Sequence, residues 1–153
     1  YPDATPLRDV APFLSLKKAK AFEDDELPEN YLVITADTVV VVGNEILGKP
    51  KDKDDAVRML KALSGNVHEV VTGVTIHTKE MSRTFSVTSK VSFETLDNEE
   101  IEYYIDKYRP YDKAGAYGVQ EWIGFIGVNN VEGSYFNVMG LPTHRLYKEL
   151  KCF

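Results

Sequence analysis

In VITADTVVVVGNEILGKPKD, residues 33–52, a single carboxylate, Asp37, stands inside a run that is apolar or β-branched at nearly every position from Leu32 to Val42. Such a run has the composition of a strand buried on both faces. An unpaired carboxylate there would cost several kcal/mol even after the surroundings relax. Two explanations remain open at this level. Backbone amides at a strand end or bulge could hold the group, or it could be kept dry to bind a metal or act as a base. Lys49 follows twelve residues later, in LGKPKD. A turn at Gly43-Asn44 would bring it back toward Asp37. It reads either as an ordinary exposed lysine or as one aimed at a phosphate.

A third element is DKAGAYGVQ, residues 112–120. Ala114, Gly115, Ala116 and Gly118 surround Tyr117. Small residues let backbone approach a ligand closely, and glycines let amides turn toward an anion; a plain glycine loop is the alternative. Gln120 carries both a donor and an acceptor suited to the edge of a base. The histidines, His68, His77 and His144, show no ligand spacing and read as structural or surface residues. No phosphate-binding P-loop and no G-x-G-x-x-G is present. GSYFNVMGLP, residues 133–142, reads as strand, turn and helix, mostly core packing.

These residues need elements to position them. The chain has 153 residues, 43% of them hydrophobic, which suits one domain with a real core. The net charge of −6 argues against a nucleic-acid polymer as partner, but a small anion can still meet a locally positive site. The single cysteine, Cys152, excludes an internal disulfide, and the composition fits a cytoplasmic location. No apolar run approaches the ~18 residues of a membrane helix. Helices are expected over residues 11–24, with Phe13, Leu14, Lys17, Lys18 and Ala21 at helical spacing, and over about 53–63 and 97–108. The second is capped by Asp52, with Ala56, Met59, Leu60 and Leu63 inward. The third has an Asp97/Glu100 capping box stapled by Leu96 and Ile101. Strands are expected over 31–42, 45–48, 67–78, 83–93, 123–131 and 134–139, and DELPEN, residues 25–30, reads as a loop. Pro142 opens a last helix with Leu146, Tyr147 and Leu150 inward. Mixed strands and helices in one chain mean α/β or α+β.

In order and spacing, ADTVV, ILGKPKDKDDAVRMLKALSGNVHEVVTGV, DKAGAYGVQ and GSYFNVMGLP resemble the Maf family of nucleoside triphosphate pyrophosphatases, over about Leu14 to Leu150. The resemblance implies an α/β fold similar to that of inosine triphosphate pyrophosphatase: an elongated mixed sheet flanked by helices, two lobes around a cleft, and a frequent homodimer. It implies that Asp37 is the catalytic proton acceptor and metal ligand, that Lys49 contacts phosphate, and that Lys18, next to Lys17, is a second active-site lysine. Thr38 and Gln120 match positions that set base preference, with Lys113 and Gly115 of the same loop as further substrate contacts. The loop's form resembles the branch acting on dTTP and UTP rather than on 7-methyl-GTP. Family members begin with a strand, a Ser-x-Ser-Pro-Arg-Arg loop and a glutamate. The present chain starts after all three, so residues 1–153 are expected to form one Maf-like domain lacking that strand and arginine loop, with reduced activity on its own.

The implied reaction is hydrolysis of a nucleoside triphosphate to the monophosphate and pyrophosphate, a housecleaning role. It would be assisted by a divalent cation, Mg²⁺ first, with Mn²⁺ or Co²⁺ as alternatives. Such a cation takes hard oxygen ligands, usually one or two carboxylates. Two other readings stand beside it: a nucleotide-binding regulator of septum formation with little catalysis, and a hydrolase of modified pyrimidine nucleotides.

Overall fold

Two long β-branched segments, Leu32–Val42 (β1) and Val67–Thr78 (β3), form the centre of one sheet in the computed structural model, which describes residues 1–24 and 27–153. β1 turns at Gly43-Asn44 into the short β2, Glu45–Leu47. β3 is followed by β4, Ser82–Phe93, and later by β5, Val128–Glu132. The five strands lie in the order β2-β1-β3-β4-β5, and every pairing among them is antiparallel. Asp37 sits opposite Gly73, and Thr38 opposite Thr72. β2 covers β1 only at Val40, Val41 and Val42. The earlier part of that β1 edge has no strand beside it among the described residues.

The side-chain period of two then sorts the residues by face. α1, Val10–Ala21, lies on one face, where Val10 and Ala11 pack against Val39, Val41 and Val71. The other face carries α2, Lys53–Leu63, and α3, Asn98–Tyr108. Leu60, Leu63, Ile101, Tyr104 and Ile105 bury there against Val40, Val70, Val91 and Phe93. The end caps are those the sequence called for. Asp52 accepts from the Asp55 amide at 2.8 Å, and Asp97 and Glu100 form a reciprocal capping box. Further along the same face, Leu146 of α6, Thr143–Cys152, packs with Val74, Ile76 and Phe85.

Several expectations need correction. β1 is not buried on both faces throughout: Leu32 and Ile34 are exposed, and consecutive residues are buried only from Val39 to Val41. The strand expected over 123–131 is half helix, α4, Trp122–Gly127, before β5 begins. The one expected over 134–139 is a helical turn, α5, Tyr135–Met139. Ser134 caps it by accepting from the Asn137 amide, and the fully buried Asn137 donates its side-chain amide to the carbonyls of Val70 and Val87, each at 3.1 Å. That tertiary contact overrides the β propensity of Tyr-Phe-Asn-Val. In α6 only Leu146 points inward. Tyr147 is 61% exposed, and Leu150 is exposed too. Glu149 sets the helix's rotation instead, bonding Arg83 of β4 at 3.1 Å and Arg145 at 2.9 Å. Asp25 and Glu26 of the expected DELPEN loop lie outside the described residues.

Candidate functional site

Asp37 points to the α1 face of the sheet, and its cross-strand neighbour determines how close α1 can come. A Cβ on Gly73 would lie 2.3 Å from the Ala11 carbonyl carbon. With glycine there, the backbone of α1 rests on the sheet beside Asp37. Thr35, two residues before Asp37 on the same face, donates to the Ser15 carbonyl at 2.6 Å. The Ser15 hydroxyl in turn bonds Thr75 at 2.9 Å. Anchored this way, α1 brings Lys18 to Asp37, with Nζ 2.9 Å from Oδ2. The Asp37 side chain is 21% exposed and that of Lys18 57%. Lys18 rather than Lys17 makes this pair. The question of a buried carboxylate is thereby answered: the group is half-buried, paired, and faces a cleft.

The cleft has a volume of about 450 Å³, within the range of small-molecule sites. It wraps the open edge of β1. Asp37, Thr38 and Lys49 line it together with Lys113, Tyr117 and Gln120. Lys49 arrives through the β1–β2 hairpin, which pairs Val40 with Leu47 and returns the chain. The loop after α3 closes the opposite wall. Gly115 lies behind that wall, buried, and its amide donates to the Gly48 carbonyl at 3.1 Å, which ties the two loops together. Its neighbour Ala116 holds φ of 61°, a conformation costly for a residue with a Cβ. The Thr38 hydroxyl bonds Thr72 at 2.9 Å near Gly140, the end of α5. Gln120 is exposed at the rim.

Three features of this wall escaped the sequence reading. Tyr117 turns inward, and its hydroxyl shares a 2.6 Å hydrogen bond with His68 Nε2. Burial among Tyr117 and Phe93 pushes the His68 pKa down to about 4 and raises that of the Tyr117 phenol. Tyr104 of α3 donates to Glu121 Oε1 at 2.6 Å and accepts from the Gly118 amide at 3.0 Å. Asp112, also in the cleft, bonds Lys113 at 3.1 Å, and that contact lowers its pKa below the usual carboxylate value. One signal was available: a tyrosine at an inward helical position needs a partner for its hydroxyl. His77, buried against Ser82, and the exposed His144 stay outside the cleft.

Chemically, the cleft combines Asp37 and Lys49 with the polar loop carrying Lys113 and Gln120, and Lys18 pairs with Asp37 beside it. That arrangement suits an elongated anion with a recognisable head. No three His, Cys, Asp or Glu residues cluster to cage a metal among the described residues. Asp37 alone fits a divalent ion that takes its remaining ligands from phosphate and water, which is the habit of Mg²⁺.

A sequence model described as Maf-like protein matches residues 2–153. Curated relatives named dTTP/UTP pyrophosphatase resemble the chain closely. The one from Porphyromonas gingivalis ATCC 33277 is 53% identical, covering 100% of this chain and 77% of its own length. That from Parabacteroides distasonis is 50% identical, over 100% and 79% respectively. The Christiangramia forsetii protein is 48% identical, over 94% and 72%.

Proposed function

The chain belongs to the Maf family, and from that premise we propose that it is a nucleoside triphosphate pyrophosphatase that hydrolyses dTTP and UTP to the monophosphate and pyrophosphate. The observation that supports this reading is one cleft lined by Asp37, Lys49 and the loop from Lys113 to Gln120, with Lys18 paired to Asp37. Names borne by relatives at about half identity favour hydrolysis over a purely regulatory nucleotide sensor.

In the proposed reaction the triphosphate lies along the β1 edge, with its base toward Thr38 and Gln120. Asp37 orients the attacking water and accepts its proton. The water oxygen bonds to the α-phosphorus, the α–β bridge breaks, and pyrophosphate leaves with the bridging oxygen. Lys49 and Lys18 stabilise the charge that grows on the non-bridging and leaving oxygens. Lys18 is exposed enough to turn from Asp37 to a phosphate without losing a buried contact. A divalent cation, when bound at Asp37, would supply further neutralisation of the phosphate charge. No described helix is long and apolar enough to cross a membrane; a soluble substrate in the cytoplasm and a homodimer complete the proposal.

The test is Asp37→Asn in the full-length protein, with pyrophosphate release followed at saturating dTTP. A positioned base contributes about 10²- to 10⁴-fold, so turnover should fall at least about a hundredfold. Near-wild-type turnover would remove Asp37 from the mechanism.

A further inference from the structure

One buried hydroxyl holds both ends of the Gly118–Glu121 stretch of the cleft wall. Tyr104 is fully buried in α3, packed among the core residues Ile101 and Ile105 and stacked on Tyr108. Its oxygen is used twice. It accepts from the Gly118 amide at 3.0 Å and donates to Glu121 Oε1 at 2.6 Å. These two partners flank Val119 and Gln120. The same carboxylate oxygen lies 3.9 Å from Lys113 Nζ. Position 118 is fitted to the arrangement as well, since a Cβ there would stand 2.7 Å from Glu121 Oε1. Burial and the adjacent carboxylate both raise the phenol's pKa, so the hydroxyl keeps its proton and its donor role across the working pH range.

We infer that Tyr104 and Glu121 are positioning residues for nucleobase selection: the phenol clamps residues 118–121 from both ends and so fixes the direction in which Gln120 meets the base. Neither touches the reacting phosphates in this reading, and Tyr104 does not line the cleft. The inference rests on the proposal that the cleft binds a pyrimidine nucleoside triphosphate with its base at Gln120. Without the clamp the loop would still close the wall, because Tyr117 and Gly115 anchor it independently at His68 and Gly48. What would be lost is the angular precision of one side chain, and selectivity depends on that precision when a site's polar groups must match the substrate's.

Equilibrium binding of non-hydrolysable analogues of dTTP and dATP to the full-length protein tests this, alongside kcat and KM for the two nucleotides. Tyr104→Phe and Glu121→Ala should each cut the preference for the pyrimidine analogue at least fivefold, raising KM for dTTP more than they lower kcat. Glu121→Gln, whose amide oxygen still accepts from the phenol, should restore most of the preference. An unchanged preference in both disruptive variants overturns the inference. So does an equal loss of affinity for both analogues, or a failure of Glu121→Gln to rescue. Selective binding without any pyrophosphate release would overturn the proposed hydrolysis and leave the clamp standing. A wild-type protein that binds both analogues alike would overturn the clamp itself.

Discussion

At the level of single residues, the polar groups that matter are defined by what sits beside them. Gln120 at the rim has no structural duty in the described hydrogen bonds, so its side chain is available to a base. Gln120→Ala should lower the dTTP-over-dATP ratio of kcat/KM about three- to tenfold, the value of one hydrogen bond of ~1 kcal/mol, with a smaller effect on turnover; an unchanged ratio would mean that Gln120 does not read the base. His68 makes a prediction about stability. Its native pKa of about 4 lies below its ordinary 6.5. Above pH 6.5 the ring is neutral in both states and contributes no pH dependence. Between 6.5 and about 4 the unfolded chain takes up a proton that the native state refuses, so stability falls as pH falls through that window. From pH 7 to pH 5 wild type should lose about 2 kcal/mol more than His68→Gln, read from urea unfolding at both pH values. Equal losses would show that His68 is not held neutral by its burial. Asp37, Lys49 and Gln120, which line one cleft, were singled out in the sequence by type and spacing with structural alternatives open, and only the family resemblance joined them into one site. Tyr104 and Glu121 were not, because their meaning lies in a contact across seventeen positions.

Elements explain why the residues meet. α2 and α3 could be read from the sequence because their signals are local: a capping side chain and an apolar stripe within eleven residues. α4 and α5 could not. Their aromatic and branched residues favour strands, and for α5 the packing of Asn137 onto β3 and β4 decides for a helical turn. The approach of α1 to the sheet is the element-level feature that carries Lys18 to Asp37, and in the proposed reaction turnover depends on it. Gly73→Ala would drive a methyl into the Ala11–Pro12 peptide, with backbone rather than a flexible tip in the way. Overpacking of this kind costs about 1–3 kcal/mol, so the urea midpoint should fall accordingly. Turnover should fall with it in the fraction that stays folded, because α1 must lift and the 2.9 Å pair must open. A folded Gly73→Ala protein with undiminished turnover would show that the spacing of α1 from the sheet does not set the site.

Across the whole molecule, charge poses a problem that the cleft does not solve alone. The chain carries a net −6, while a nucleoside triphosphate brings about four more negative charges at neutral pH. Long-range attraction is therefore absent, and local charge must compensate. Lys49 and Lys113 in the lining face Asp37 and Asp112, while just outside it Lys18 pairs with Asp37 and Glu121 lies 3.9 Å from Lys113. The lining is neutral as it stands, and among the described residues Lys49 alone of the three lysines makes no ion pair. Tight binding of a polyphosphate to a neutral lining on an acidic molecule requires cations to arrive with it. With Mg²⁺ present, a non-hydrolysable dTTP analogue at about a hundred times its dissociation constant should stabilise the fold by ~2.7 kcal/mol. For a chain of this size that raises the thermal midpoint by roughly 5–10 °C. Chelating the divalent ion should reduce the shift to less than about a third of that value at the same nucleotide concentration. Removing Asp37's charge by Asp37→Asn should shrink the difference between the two conditions, because the ion loses its protein ligand. A full shift in the presence of chelator would mean that the lysines suffice, and that Lys18 and Lys113 leave their carboxylates when the phosphates enter.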